Sequence, residues 1–177
     1  MSRVEGLAPG LYLLPRADVL LAHLKPHLAK HLRLDPVPGV DSLLRLDEME
    51  PRVLQRISRS LHCHQDIAAN ACFAVGMLAE FDETLQRQGP AAYRSLYREA
   101  GLIGQVLYLE AEAHGLRGTG IGCFFDDPVH ELLGLQGSAW QSLYHFTVGL
   151  PVLDPRIESA PAYIRRDTPE PTDGRDP

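Results

Sequence analysis

Six consecutive positions, Gly118-Thr119-Gly120-Ile121-Gly122-Cys123, are where this chain of 177 residues is best equipped for chemistry. Glycines so closely spaced strip side chains from the backbone and let it present bare N–H groups to something flat or anionic. A plain helix-to-strand turn that needs positive φ angles would use glycine in the same way, and the glycines alone leave both readings open. His23, His27 and His31 recur at steps of four along one side of a helix, a spacing at which two imidazoles can share a divalent metal. Pro26 interrupts that helix and no carboxylate occupies a matching helical position, so the three read as an exposed polar face and no metal site is expected. His62-Cys63-His64 also gathers ligand types; on a strand His62 and His64 would share a face continued by Asp66, with Cys63 turned away. Burial or a contact between copies explains that triplet better than a metal. The run Arg56-Ile57-Ser58-Arg59-Ser60 has the chemistry to hold a phosphate and reads as a solvated helix end. Glu110 and Glu112 stand about 200° apart on a helix, so they do not form an acid–base pair. No nucleophile elbow supports a Ser-His-Asp or Cys-His arrangement.

The glycine run is delivered by a long helix beginning near Tyr93. Leu96, Ala100, Ile103, Leu107, Ala111 and His114 recur at steps of three and four, and Tyr93, Tyr97, Gly101, Gly104 and Tyr108 form a second stripe beside them. Two adjoining apolar faces predict a helix buried in the middle of the domain. Gly101 and Gly104 each cost about 1 kcal/mol against alanine in a helix interior, which predicts that another backbone comes close there.

Around this rod the chain alternates helices and strands. Gly10 to Leu14, framed by Pro9 and Pro15, reads as a strand at an edge. Asp18 is placed to cap a helix from Val19 to about Leu32, kinked at Pro26. A loop over Asp35 to Asp41 and a short strand over Leu43 to Leu46 follow. Pro51 opens a helix reaching Ser58 or Ser60. Ala71 to Ala79 reads as a buried strand, Asp127-Pro128 starts a short helix ending at Gly134, and Trp140 to Leu150 alternates like a strand. Pro151 to Tyr163 reads as an extended arm. These elements predict an α+β domain over residues 1–165. Residues 166–177, rich in proline and acidic residues, read as a disordered tail.

Composition narrows the partners. A net charge of −6 and a pI near 5.7 argue against nucleic acid or an anionic membrane surface. Only two lysines, Lys25 and Lys30, accompany fifteen arginines, so there is no lysine-rich tract. No run approaches the length of a membrane span, and the N-terminus lacks the apolar core of a signal peptide. Cys63, Cys72 and Cys123 are odd in number and scattered, which fits a reducing, cytoplasmic setting better than a disulfide framework.

One resemblance is specific. EAGLIGQVLYLEAEAHGLRGTGIGCFFDDPVHELLGL, followed by LYHFTVGLP, resembles the second half of the nitroreductase family and most of all its SagB-type branch, which includes the azoline dehydrogenases of modified peptides; DPRIESAPAY, Asp154 to Tyr163, also resembles that branch. The likeness runs from Gly6 to Tyr163 and is strongest over Glu99 to Leu150. It implies a mostly antiparallel sheet flanked by helices around a long central helix, in an intertwined homodimer or paired with another nitroreductase-like domain. It also implies flavin mononucleotide (FMN) at the interface, hydride transfer through flavin N5, and a small-molecule or modified-peptide substrate. By the same resemblance the backbone of Gly120, Ile121, Gly122 and Cys123 lies against the flavin ring, and Arg156 is the local candidate for a phosphate, with an ordinary ion pair as the alternative. Tyr93, Tyr97 or Tyr108 would line the substrate side if they are not core packing.

Three departures from the family pattern qualify this. The Arg/Ser-rich segment that holds the flavin phosphate precedes the matched part, so the chain looks like a C-terminal half or the second domain of a tandem protein. A Lys-Tyr pair of the azoline dehydrogenases falls on Arg87 and Gln88, and arginine stays charged, so it is a poor proton-transfer group. A Glu-Gly pair beside flavin N5 is replaced by Gly122-Cys123, where Cys123 reads as a small buried residue rather than a redox-active one. The alternative to an enzyme is therefore a degenerate, non-catalytic half that dimerises or clamps a peptide.

Overall fold

Ten residues of the strand Trp140–Gly149 (β6) organise the molecule, a computed structural model in which residues 1, 3–158 and 160 are described. The strand does not alternate in burial. Trp140, Leu143, Phe146 and Val148 are buried, and so are Ser142, His145 and Thr147. A strand covered on both faces belongs in the middle of a sheet. β6 accordingly pairs antiparallel with Phe73–Glu80 (β4) on one side and with Arg117–Ile121 (β5) on the other. A smaller antiparallel sheet has the order β1-β3-β2, built from Gly10–Leu13 (β1), Asp35–Pro36 (β2) and Leu44–Glu48 (β3). The α+β class and the antiparallel sheets agree with the sequence, and β1 lies at an edge as its flanking prolines require.

The helices are Asp18–Leu24 (α1), Pro51–Leu61 (α2), Asp66–Asn70 (α3), Asp82–Gln88 (α4), Ala92–Ala113 (α5) and Asp126–Leu133 (α6). One core gathers Leu24, Leu46, Val129, Leu133, Leu135 and Trp140 between the small sheet, α1 and α6. A second joins Ala111, Phe146 and Val148, with Leu107, Met77 and Tyr144 packed against them, between α5 and the larger sheet. α1 is shorter than predicted. It ends at Leu24, and Pro26 sits in a 3-10 turn, because proline lacks the N–H that would extend the helix. Asp18 is its first residue rather than its cap. α4 went unread in the sequence, and Pro128 is the third residue of α6 rather than the first.

α5 has the predicted length but not the predicted burial. Ala100, Gly104 and Ala111 face the sheet, whereas Tyr93, Tyr97, Gly101 and Tyr108 are exposed. The expected close backbone is also corrected. A Cβ at Gly104 would lie 2.7 Å from the Tyr144 ring, so a side chain crosses there, and a Cβ at Gly101 would meet nothing within 4 Å. Gly104→Leu is accordingly expected to lower stability by about 1–3 kcal/mol through overpacking. A thermal melt checks it, with Gly101→Leu as a control that stays nearer the wild-type value in a single chain.

Candidate functional site

The glycine run does not form a turn. Gly118 and Gly120 lie inside β5, paired with Val148 and Phe146 of β6. None of Gly118, Gly120 and Gly122 has a positive φ. Their missing side chains make room for aromatic rings instead. A Cβ at Gly118 would come 2.6 Å from Phe146, and one at Gly120 would overlap the Tyr144 phenol. Nor are all the amides bare. The Gly120 N–H donates to Tyr108 Oη at 2.8 Å, and Ile121, 3% exposed, is the last residue paired with β6. Gly122 and Cys123 lie past that last pair and are exposed, with nothing within 4 Å of where a Gly122 Cβ would stand. Of the four positions expected at a planar ligand, two therefore present an exposed backbone edge, with the Cys123 carbonyl accepting from Gln65 Nε2 at 3.2 Å. Beside it Phe124, Phe125, Asp126, Asp127 and Pro128 line a shallow groove of about 330 Å³.

Cys123 is neither buried nor free. It is bonded to Cys63, 60 residues earlier, across a Cα–Cα distance of 5.9 Å. This corrects the reading of scattered, unpaired cysteines and removes its support for a reducing, cytoplasmic setting; Cys72 stays free. Among the described residues no helix is long and apolar enough to cross a membrane. Tying together residues 60 apart contributes roughly 4 kcal/mol in the chain-entropy account of cross-links. Reductant is therefore expected to lower the melting temperature by several degrees, and Cys63→Ser should melt where the reduced wild type does. A melting temperature indifferent to reductant would remove the cross-link from this account.

The disulfide clamps a buried polar chain that sequence reasoning missed. His62 ends α2 rather than lying on a strand, and Cys63 and His64 follow with φ of 52° and 59°. His62 Nδ1 donates to the Ser58 carbonyl at 2.5 Å, which leaves its Nε2 to accept from His145 Nδ1 at 2.9 Å. His145 Nε2 then accepts from Ser142 Oγ at 2.7 Å. A carbonyl only accepts, which puts a proton on His62 Nδ1; burial lowers the pKa of both rings and keeps them neutral, and the chain then runs in this one direction. Ser142 and His145 are three apart, and on a regular strand they would face opposite ways. The ladder shifts here, with Met77 opposite Tyr144 but Leu78 opposite Ser142, so Leu143 is an extra residue. Such a bulge brings i and i+3 to one face.

Gly76 opposite His145 leaves room for the imidazole, and Phe124 stacks on it at 4.0 Å. Burial, with His62 adjacent, pushes the His145 pKa down to about 3, and burial lowers that of His62 as well. The Ser–His polarity is that of a nucleophile pair, but Ser142 is buried in a packed strand, so the chain orders the core beneath the open edge.

The remaining candidates are engaged locally. Arg156 holds Asp154 through both carboxylate oxygens, the ion-pair alternative foreseen for it. Arg59 pairs with Asp66 at 2.6 Å, and Arg87 pairs with Glu83 on its own helix.

A sequence model of the nitroreductase family matches residues 11–150. A solved protein from Anabaena variabilis assigned as a nitroreductase is similar at 30% identity, with a TM-score of 0.56 over 63% of this chain and 22% of that one. A second, from Staphylococcus epidermidis and assigned as an NAD(P)H:FMN oxidoreductase, shares 14% identity at a TM-score of 0.43 over 65% of this chain and 68% of that one. No curated protein matches. The chain belongs to the nitroreductase family. It spans about a fifth of the length of the Anabaena protein.

Proposed function

We propose that this chain supplies one wall of an FMN-dependent oxidoreductase site, completed by a second copy or by another nitroreductase-like domain of the SagB-type branch. The observation that carries the reading is the open backbone edge at Gly122 and Cys123 beside a long helix whose outer face is apolar and uncovered. Leu102, Val106 and Leu109, at steps of four and three on α5, are 68%, 56% and 61% exposed. An uncovered apolar face of this kind marks an interaction surface.

The residues fit a flavin at its ring and not at its phosphate. Gly122 offers a main chain that a flat ring can approach, with Phe124 and Phe125 next to it. The adjoining groove carries two carboxylates and no cation among its lining residues, which repels a phosphate. The phosphate contacts therefore come from the partner or from sequence outside this chain. Bound FMN supplies the hydride chemistry. This chain's part is to donate main-chain N–H groups to the ring edge, to keep water off it with Phe124 and Phe125, and to hold that edge rigid through the disulfide and the histidine chain. Arg87, paired with Glu83, moves no proton, so azoline oxidation is not assigned to it.

A second reading is a non-catalytic half that pairs with a complete domain or clamps a peptide. The engagement of Arg156 by Asp154 favours it. Purified protein that is yellow and dimeric, and releases FMN on denaturation, supports the first. A colourless dimer that takes up no added FMN supports the second.

A further inference from the structure

His23 was set aside in the sequence because no carboxylate matched its helical spacing. The fold provides two. His23 lies in the last turn of α1, and its Nδ1 is 2.7 Å from Oε1 of Glu80, the final residue of β4. Glu83 follows in the first turn of α4. One donor atom from each of the three lies within 4.8 Å of the others. They line a groove of about 530 Å³ whose other walls include His27, Asp82 and Gln86.

We propose that His23, Glu80 and Glu83 form a binding site for a divalent cation of the Zn²⁺ type. One imidazole and two carboxylates are a donor set that zinc accepts, with the fourth position open to water or to His27. The charge balance of the groove points the same way. Glu80 and Glu83 face each other with Asp82 alongside, and no lysine or arginine lines the groove. The Asp82 carboxylate is committed to the Ser138 hydroxyl at 2.7 Å. Arg87 reaches Glu83 only at 3.5 Å, with both side chains more than half exposed, and screens it poorly.

The frame is fixed independently of any ion. Leu24 anchors α1 in the core, and the Phe81 N–H donates to the Ala139 carbonyl at 2.7 Å between Glu80 and Asp82. Glu80 is 11% exposed, whereas His23 is 44% and Glu83 53%, so an ion enters from the side of His23 and Glu83. On entry it replaces the proton on His23 Nδ1, which is released to solvent or taken up on Nε2, and takes that nitrogen and the Glu80 carboxylate as ligands, the short reorganisation that zinc–ligand distances near 2.0–2.2 Å require.

Isothermal titration of the full chain with Zn²⁺, after treatment with chelator, tests this. One site is expected for the wild type, with the melting temperature raised by the metal. H23Q and E83Q should each weaken binding by more than about tenfold, as loss of even a supporting partner commonly does, while H31Q should bind as the wild type does. E83Q carries the test if H23Q fails to fold, because Glu83 is exposed on its helix. Cobalt substitution should give a spectrum without thiolate charge transfer. A wild type that takes up no zinc, an E83Q variant that binds unchanged, or a thiolate band implicating Cys72 would each overturn the assignment.

Discussion

If the proposed pairing through α5 holds, the wild type is expected to sediment as a dimer, and Leu102→Glu with Leu109→Glu is expected to leave the chain monomeric and unable to hold flavin. Neither side chain serves the fold of a single chain, since 68% of Leu102 and 61% of Leu109 lie in solvent. Each contributes about 1.5–3 kcal/mol only when a partner covers it. A glutamate in its place would have to be buried unpaired in the interface, a cost of several kcal/mol per group. Two such costs exceed what a moderate dimer contact provides, so dissociation should be complete at working concentrations. The monomer should keep its circular dichroism, because the buried side of α5, Ala100, Gly104 and Ala111, is untouched. Sedimentation alongside a flavin-release assay separates the outcomes. A double mutant that still dimerises would show that α5 is not the interface. A monomer that stays yellow would show that one chain holds the cofactor alone.

The second large effect is acid sensitivity centred on His145. Its folded pKa is about 3 against 6.5 for the free side chain, so below pH 6.5 the unfolded chain takes up a proton that the folded one refuses. Stability then falls as pH falls, over the window from about 6.5 down to about 3, and not on the alkaline side. At pH 5 the loss from this one residue is about 2 kcal/mol. His62, also lowered by burial, adds in the same direction. Denaturant melts at pH 7 and pH 5 measure the slope. His145→Gln removes the titrating ring, so its slope should flatten even though its stability at pH 7 drops with the lost bonds to Ser142 and His62. An equal slope in wild type and variant would place the acid sensitivity elsewhere.

Both expectations rest on features that were unequally legible in the sequence. The length of α5 was readable because its periodicity is local: side chains three and four apart meet on a helix whatever surrounds it. Which of its faces is buried was not, because an apolar stripe looks the same against a sheet or against another copy. The glycines of β5 were conspicuous, yet their reason was not. Spacing cannot reveal that Tyr144 and Phe146 arrive from the neighbouring strand to occupy the space that side chains would fill. The alternation seen in β6 was overridden by cover on both faces and by the extra residue at Leu143. The expectations for Pro151 to Tyr163 and for residues 166–177 fall wholly or in part outside the described residues.

By itself the sequence determined the order and kind of most of the main elements and the α+β class, since these are written in patterns that neighbouring residues share, while the antiparallel sheet and the nitroreductase membership followed from the resemblance strongest over Glu99 to Leu150. The tertiary structure alone decided the pairings that carry chemistry. His23 meets Glu80 across 57 residues, Cys63 meets Cys123 across 60, and His62 meets His145 across 83. Separations of that size leave no trace in local periodicity, because only the packing of sheet, helix and loop brings such distant side chains within bonding distance.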